Sequence, residues 1–347
     1  MIQGLRLDEF TLLDRLCDEF ETAIKNEDSV LISSYLEQVP AGNRDSFLAE
    51  LVGIQRFYDL GASQDENPET IGKYQVQEKI GVGSFGIVYR AIDEDVGRDV
   101  AIKVPRLDRP VPVDHVSIAR EARRLARLSH PGLAKFHYCS PHPELNFYMV
   151  SDYADGCLLG DKLKYNPPDW NESVAIVTKL CDVLSYLHEH NTYHCDLKPS
   201  NIILTEQGPV VIDFGLATRE ESFQIQQNAV FGTPGYISPE QQQGRSSASG
   251  DVFSLSVIFY EMLTGTLPYG RTLDSVNGNE NPPLPHRVNS KIPASISKVC
   301  HRAISLDKVT RFKSADELKK SLQRCGEPWG TRRKLSLIHI SEPTRPY

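Results

Sequence analysis

Apolar residues recur at helical spacing through the first sixty positions. Leu5, Leu12, Leu13, Leu16, Phe20 and Ile24 are interleaved with Asp14, Arg15, Asp18, Glu19 and Glu21, the one-sided stripe of an amphipathic helix. A second apolar run covers 30–39 and stops at Pro40-Ala41-Gly42. A third carries Phe47, Leu48, Leu51, Val52, Ile54, Phe57, Tyr58 and Leu60 and ends at Gly61, a helix terminator. Asn43 and Asp45 stand where an N-cap acceptor would serve this third helix. The pattern predicts a small helical module over 1–61. Residues 62–73, which open with the polar, acidic ASQDENPET, read as a linker.

From Tyr74 the period changes. Residues 74–80, 86–93 and 99–105 are rich in Val, Ile and Tyr and are separated by Gly-bearing turns, which predicts three strands. Helical patterns dominate afterwards, over 116–128, 172–190, 252–264, 295–305 and 314–322, and no internal repeat is visible. The longest apolar run, 252–263, is too short to cross a bilayer and contains Ser254, Ser256 and Glu261.

Composition narrows the class without naming it. The 347 residues allow about two domains. With 40% hydrophobic and 24% charged residues, the chain is neither collagen-like, mucin-like nor wholly disordered. Its charge is 38 − 46 = −8, which argues against a nucleic-acid partner, since such proteins need a basic footprint. Charged side chains interrupt residues 1–20, so no signal peptide is expected. The seven cysteines are scattered, with no C-x-x-C pair, as expected of reduced thiols in a cytoplasmic protein.

The first chemical motif is Gly81-Val82-Gly83-Ser84-Phe85-Gly86, a G-x-G-x-x-G. A dinucleotide-binding fingerprint of this spacing would open a helix. Here Ile87-Val88-Tyr89-Arg90-Ala91-Ile92 follows, β-branched and aromatic, so the glycines close a hairpin in which bare backbone N–H groups can approach phosphates. Next, Val100-Ala101-Ile102-Lys103 sets a lysine among apolar residues on the third strand. Such a lysine needs a buried anionic partner. Glu121 is the candidate, the one acid on a helix flanked by Arg120, Arg123, Arg124 and Arg127. Then come His194-Cys195-Asp196-Leu197-Lys198-Pro199-Ser200-Asn201 and Val210-Val211-Ile212-Asp213-Phe214-Gly215, and later Gly232-Thr233-Pro234-Gly235-Tyr236-Ile237-Ser238-Pro239-Glu240 and Arg311.

At this point the chain resembles a bacterial eukaryotic-like (Hanks-type) serine/threonine protein kinase over 74–324. Pro239-Glu240-Gln241 is similar to bacterial members, and the texture of the preceding helical segment resembles planctomycete ones. The resemblance implies an α+β, two-lobed kinase fold with a β-rich first lobe and an α-rich second lobe. It also implies ATP with Mg²⁺ (or Mn²⁺) as cofactors, protein Ser/Thr hydroxyls as acceptors, and a role in signalling. Phosphoryl transfer needs charge neutralisation and alignment more than covalent help. By the resemblance, Ile80, the loop 81–86, Val88, Ala101, Asp152, Ala154 and Ile203 surround the nucleotide, with adenine bonded to the Asp152 carbonyl and the Ala154 N–H. Lys103, held by Glu121, binds the α- and β-phosphates. Asn201 and Asp213 ligate the metal, a hard cation that takes oxygen ligands. Asp196 accepts the proton of the substrate hydroxyl, and Lys198 neutralises the γ-phosphoryl group. Lys198 together with Thr233 favours Ser/Thr over Tyr as acceptor. Glu240 and Arg311 form a buried ion pair, Asp251 braces the catalytic loop, and His194, Phe214 and Gly215 complete the structural motifs. A pseudokinase that only binds ATP is the second reading. A zinc site built from Cys181, His188, His190, His194 and Cys195 matches no common ligand spacing.

Three departures stand out. The arginine usual before the catalytic aspartate is Cys195, read either as activity that does not depend on activation-loop phosphate or as neutral drift or a sequence error. Ser151 falls at the gatekeeper position and would leave room behind the adenine. The proline-rich stretch 270–293 lacks helical period, so the usual helix there should be short or missing. The last 13 residues, 335–347, resemble an in-frame translation of a transposase-type sequencing adapter and are set aside. Residues 325–334 then read as the start of a longer C-terminal region, through which alone a membrane anchor would arise.

Overall fold

Alternation of buried and exposed side chains builds the first lobe. The computed structural model describes residues 16, 20, 23, 31–39, 44, 48, 51, 68–83, 86–104, 122–142, 146–213, 232–233, 235–270 and 282–326. In β3 (Gly86–Asp93) and β4 (Arg98–Val104), Tyr89, Ala91, Val100, Ile102 and Val104 turn inward. These strands form an antiparallel sheet with β1 (Thr70–Ile71), β2 (Tyr74–Gly83), β5 (Phe136–His142) and β6 (Asn146–Asp152), in the order β1-β2-β3-β4-β6-β5. Ile71, Tyr74, Tyr148 and Val150 complete its apolar core. Three of the strands were expected. The β5–β6 hairpin was not. Its β6 pairs non-locally with β4, Ala101 to Ser151 and Ile102 to Val150, which local propensity does not encode.

The second lobe is organised by two helices. α1 (Ile32–Leu36) precedes the sheet. α2 (Leu159–Tyr165) leads into α3 (Trp170–Glu189), which starts where the Asp169 carboxylate accepts the Glu172 N–H at 2.8 Å. α3 buries Ile176, Val177, Leu180, Val183, Leu184 and Leu187. α4 (Pro239–Gln242) is followed by α5 (Ala248–Thr264), apolar on nearly every side and buried accordingly. α5 stops at Gly265, whose φ of 75° makes the left-handed cap that other residues adopt only with strain. α6 (Pro285–Val288), α7 (Ala294–Ala303) and α8 (Ala315–Gly326) pack around this centre. A small sheet of β7 (Cys157–Leu158), β8 (Ile202–Thr205) and β9 (Gly208–Val211) lies where the lobes meet.

The expected helices over 172–190, 252–264, 295–305 and 314–322 are α3, α5, α7 and α8. Within 282–293 the described backbone forms only the four-residue α6, while 271–281 lie outside the described residues. Of the N-terminal module, α1 and a few neighbours are described. Leu16, Phe20 and Leu51 are buried, and Phe20 meets the Tyr35 ring edge-on at 5.2 Å. No helix among the described residues is long and apolar enough to cross a membrane.

Candidate active site

The site lies between the lobes, and each half supplies a charged group. β4 carries Lys103, 15% exposed at its side chain. Its Nζ donates to both oxygens of Asp213, at 2.7 and 2.5 Å. Asp213 follows β9 in a left-handed conformation, φ 57°. A non-glycine residue held there costs about 1–3 kcal/mol and needs surrounding contacts to persist. Neighbouring Ile212 donates its N–H to the Asn201 carbonyl at 2.9 Å, which ties the Asp213 strand to the catalytic loop. Glu121, the expected partner of Lys103, lies outside the described residues, as do Ser84, Phe85, Phe214 and Gly215.

The catalytic loop converges on Asp196. Thr233 Oγ1 donates to Asp196 Oδ1 at 2.7 Å, and Lys198 Nζ lies 3.2 Å from Oδ2. Lys198 also donates to Thr233 Oγ1 at 2.7 Å, closing a triangle. Asn201 Nδ2 donates to the Asp196 carbonyl at 2.8 Å. The carboxylate is therefore aimed by a cation and a hydroxyl while remaining partly open. Because its nitrogen faces Asp196, Asn201 turns its Oδ1 the other way. Asn201 Oδ1 and the Asp213 carboxylate are both oxygen donors, the kind a hard divalent cation takes. Among the described residues no group of three or more His, Cys, Asp or Glu could hold a metal ion. Cys181 is buried in the α3 core, where burial pushes its thiol well above the usual range.

The loop itself is held from below. Asp251, at the start of α5 and 2% exposed, accepts the backbone N–H groups of His194 and Cys195, each at 3.0 Å, and His188 Nε2 at 2.8 Å. Burial alone would raise its pKa. The His188 bond and charge, with the Cys195 N–H, outweigh burial and hold it below the ordinary carboxylate value. Cys195 is buried and left-handed, φ 64°, and its carbonyl accepts from the Gln241 amide. Gly232, φ 121°, passes so close that an added Cβ would stand 2.9 Å from that carbonyl. These contacts of His188 and Gln241 escaped sequence reasoning. The one available signal was an acid at the head of an apolar helix, which must find donors. Beneath these groups, Glu240 and Arg311 form the expected buried ion pair.

The residues expected to surround the nucleotide fall on adjoining strands. β3 pairs with β2 through Gly83 and Gly86, so the glycine motif closes a hairpin. Val88 is opposite Lys103, Ala101 is opposite Ser151, and Ile203 pairs with Leu158 just beyond Asp152 and Ala154. Ile80 is 41% exposed at the lip. Ser151 is small and half-buried, next to Ala101. Ser151→Met is expected to reduce inhibition by bulky ATP-competitive analogues about 10- to 100-fold, as pocket discrimination of a few carbons allows. Equal inhibition of both proteins in a dose series would contradict this.

No guanidinium stands at 195 to receive a phosphate. Phosphatase treatment is therefore expected to change specific activity little. A large loss mapped by mass spectrometry to Thr218 or Ser222, both outside the described residues, would contradict it.

A strand-rich lobe carrying a lysine that reaches Asp213, set on a helical lobe carrying an Asp-Lys-Asn loop, defines the two-lobed protein kinase fold. The kinase domain of Mycobacterium tuberculosis PknI shares it, with a TM-score of 0.60 and 24% identity over 74% of this chain and 97% of that one. The family described as "Protein kinase domain" matches residues 74–322. The chain belongs to that family. It is 29% identical to the serine/threonine-protein kinase PrkC of Bacillus subtilis over 261 residues, covering 73% of this chain and 40% of that protein. It is 32% identical to the probable serine/threonine-protein kinase PknB of Lactococcus lactis over 273 residues, covering 74% and 43%. The match thus spans about two-fifths of the length of these relatives. Members of that family in general use ATP with a divalent metal and act on protein substrates.

Proposed function

We propose that this chain is a non-specific serine/threonine protein kinase that moves the γ-phosphoryl group of ATP to Ser or Thr hydroxyls in bacterial signalling. The observation that carries this is the Asp196–Lys198–Thr233 triangle. It combines a carboxylate able to accept a proton with a cation that neutralises transferred charge, and fixes the angle between them.

The roles follow from position. Asp196 orients the acceptor hydroxyl and takes its proton at a carboxylate oxygen. Lys198 faces the negative charge on the phosphoryl oxygens. Lys103, from the other lobe, binds the α- and β-phosphates, and the hairpin 81–86 supplies backbone N–H donors above them. Asn201 and Asp213 would hold Mg²⁺, or Mn²⁺, which supplies charge neutralisation at the phosphates. The Lys103–Asp213 bond already joins the lobes across the space the phosphates need.

The test is transfer from ATP to a generic basic protein, with phosphoamino-acid analysis and nucleotide binding measured in parallel. Phosphoserine and phosphothreonine are expected. Binding without transfer would favour the ATP-binding scaffold instead.

A further inference from the structure

Both ends of the residue before Asp196 are gripped by buried side chains. The Cys195 N–H goes to Asp251 at 3.0 Å, and the Cys195 carbonyl goes to the amide of Gln241. Gln241 is 2% exposed, and its own backbone N–H is capped by Ser238 Oγ at 3.2 Å. It directly follows Glu240, the acid anchored by Arg311. A left-handed residue with a Cβ does not hold that conformation by itself. Here a side chain of α4 fixes it, through a neutral donor that needs no modification.

We propose that Gln241 is a positioning residue, a built-in clamp that holds Cys195 left-handed and so aims Asp196 without an activation-loop phosphate. The proposal rests on the phosphoryl-transfer reading above. The clamp explains how a kinase with cysteine at 195 keeps its catalytic loop set. The lever that an arginine and a phosphate would supply from the side-chain direction is supplied to the backbone carbonyl instead.

The test uses the full chain after phosphatase treatment, with ATP, Mg²⁺ and a generic basic protein as acceptor. Gln241→Met keeps the volume and removes the donor. Its kcat is expected to fall about 10- to 100-fold, the cost of a misaimed group. Its KM for ATP should stay within about twofold, because ground-state binding does not use this contact. Gln241→Glu keeps the shape and carries the test if the Met variant fails to fold. A protonated acid can donate to the Cys195 carbonyl and an ionised one repels it. The ratio of variant to wild-type kcat should therefore rise between about pH 8 and about pH 6, as burial brings that carboxyl's titration towards neutrality. Merely structural damage would instead show as a parallel loss of folded protein with rising pH, read by circular dichroism on the same samples. Wild-type kcat in Gln241→Met, or a flat ratio in Gln241→Glu, would overturn the clamp alone. A wild-type chain that binds ATP and transfers nothing would overturn the phosphoryl-transfer reading and the clamp with it.

Discussion

Asp196→Asn is expected to lower phosphoryl transfer by about 10²- to 10⁴-fold, the range lost when a positioned general base is removed. The substitution keeps size and shape, so the Thr233 hydroxyl and the loop backbone retain a partner. What it removes is the acceptor for the substrate proton and the anion that faces Lys198 at 3.2 Å. ATP affinity should change little, because the proposed phosphate contacts, Lys103 and the glycine hairpin, belong to the other lobe. The readout is steady-state transfer beside a nucleotide-binding titration. Parallel loss of binding and transfer would mean that Asp196 holds the site together rather than acting in the chemistry.

Arg311→Ala has the largest expected effect on stability. The Arg311 side chain is 0% exposed and that of Glu240 9%. Besides Glu240, the guanidinium donates to the Ser249 carbonyl at 3.2 Å and lies 5.2 Å from the centre of the Phe253 ring. Removing it leaves a carboxylate in the interior without its cation, a loss of about 3–5 kcal/mol. In a domain of this size the melting temperature should fall by about 10 °C. Arg311→Lys should recover only part of this, since an ammonium cannot reproduce the planar fork. Among the described residues Glu240 Oε1 and Arg311 Nε have no hydrogen-bond partner, so the pair's desolvation is incompletely offset. Replacing both members with apolar residues of similar volume should therefore cost much less than Arg311→Ala. Equal losses in the single and double variants, measured by denaturant unfolding, would contradict this account.

What the sequence disclosed was whatever chemistry is local. The glycine hairpin, Lys103 on its strand and the Asp196–Asn201 loop each declare themselves within a few residues, and the structure brings Lys103 and Asp213 together across 110 positions. The long apolar helices were equally plain, because α3 and α5 bury wide faces. What stayed hidden depends on distant partners. In the β5–β6 hairpin, β6 pairs with β4 and, among the described residues, β5 pairs only with β6. The His188–Asp251 contact spans 63 positions and the Gln241–Cys195 contact 46. Gln241 was legible only as part of the Pro239-Glu240-Gln241 resemblance and His188 only as a member of a His/Cys cluster, and neither pointed to these contacts. Only burial and the strained backbone at Cys195 give them meaning.

The central claim is that this geometry transfers phosphate rather than merely binding ATP. Intact-mass analysis of the wild-type chain after incubation with ATP and Mg²⁺, beside Asp196→Asn treated identically, tests it most directly. Phosphate increments on Ser and Thr of the wild type, absent from the variant, are the predicted result. A wild-type chain that binds ATP and gains no phosphate, or a variant that gains as much as wild type, would contradict it.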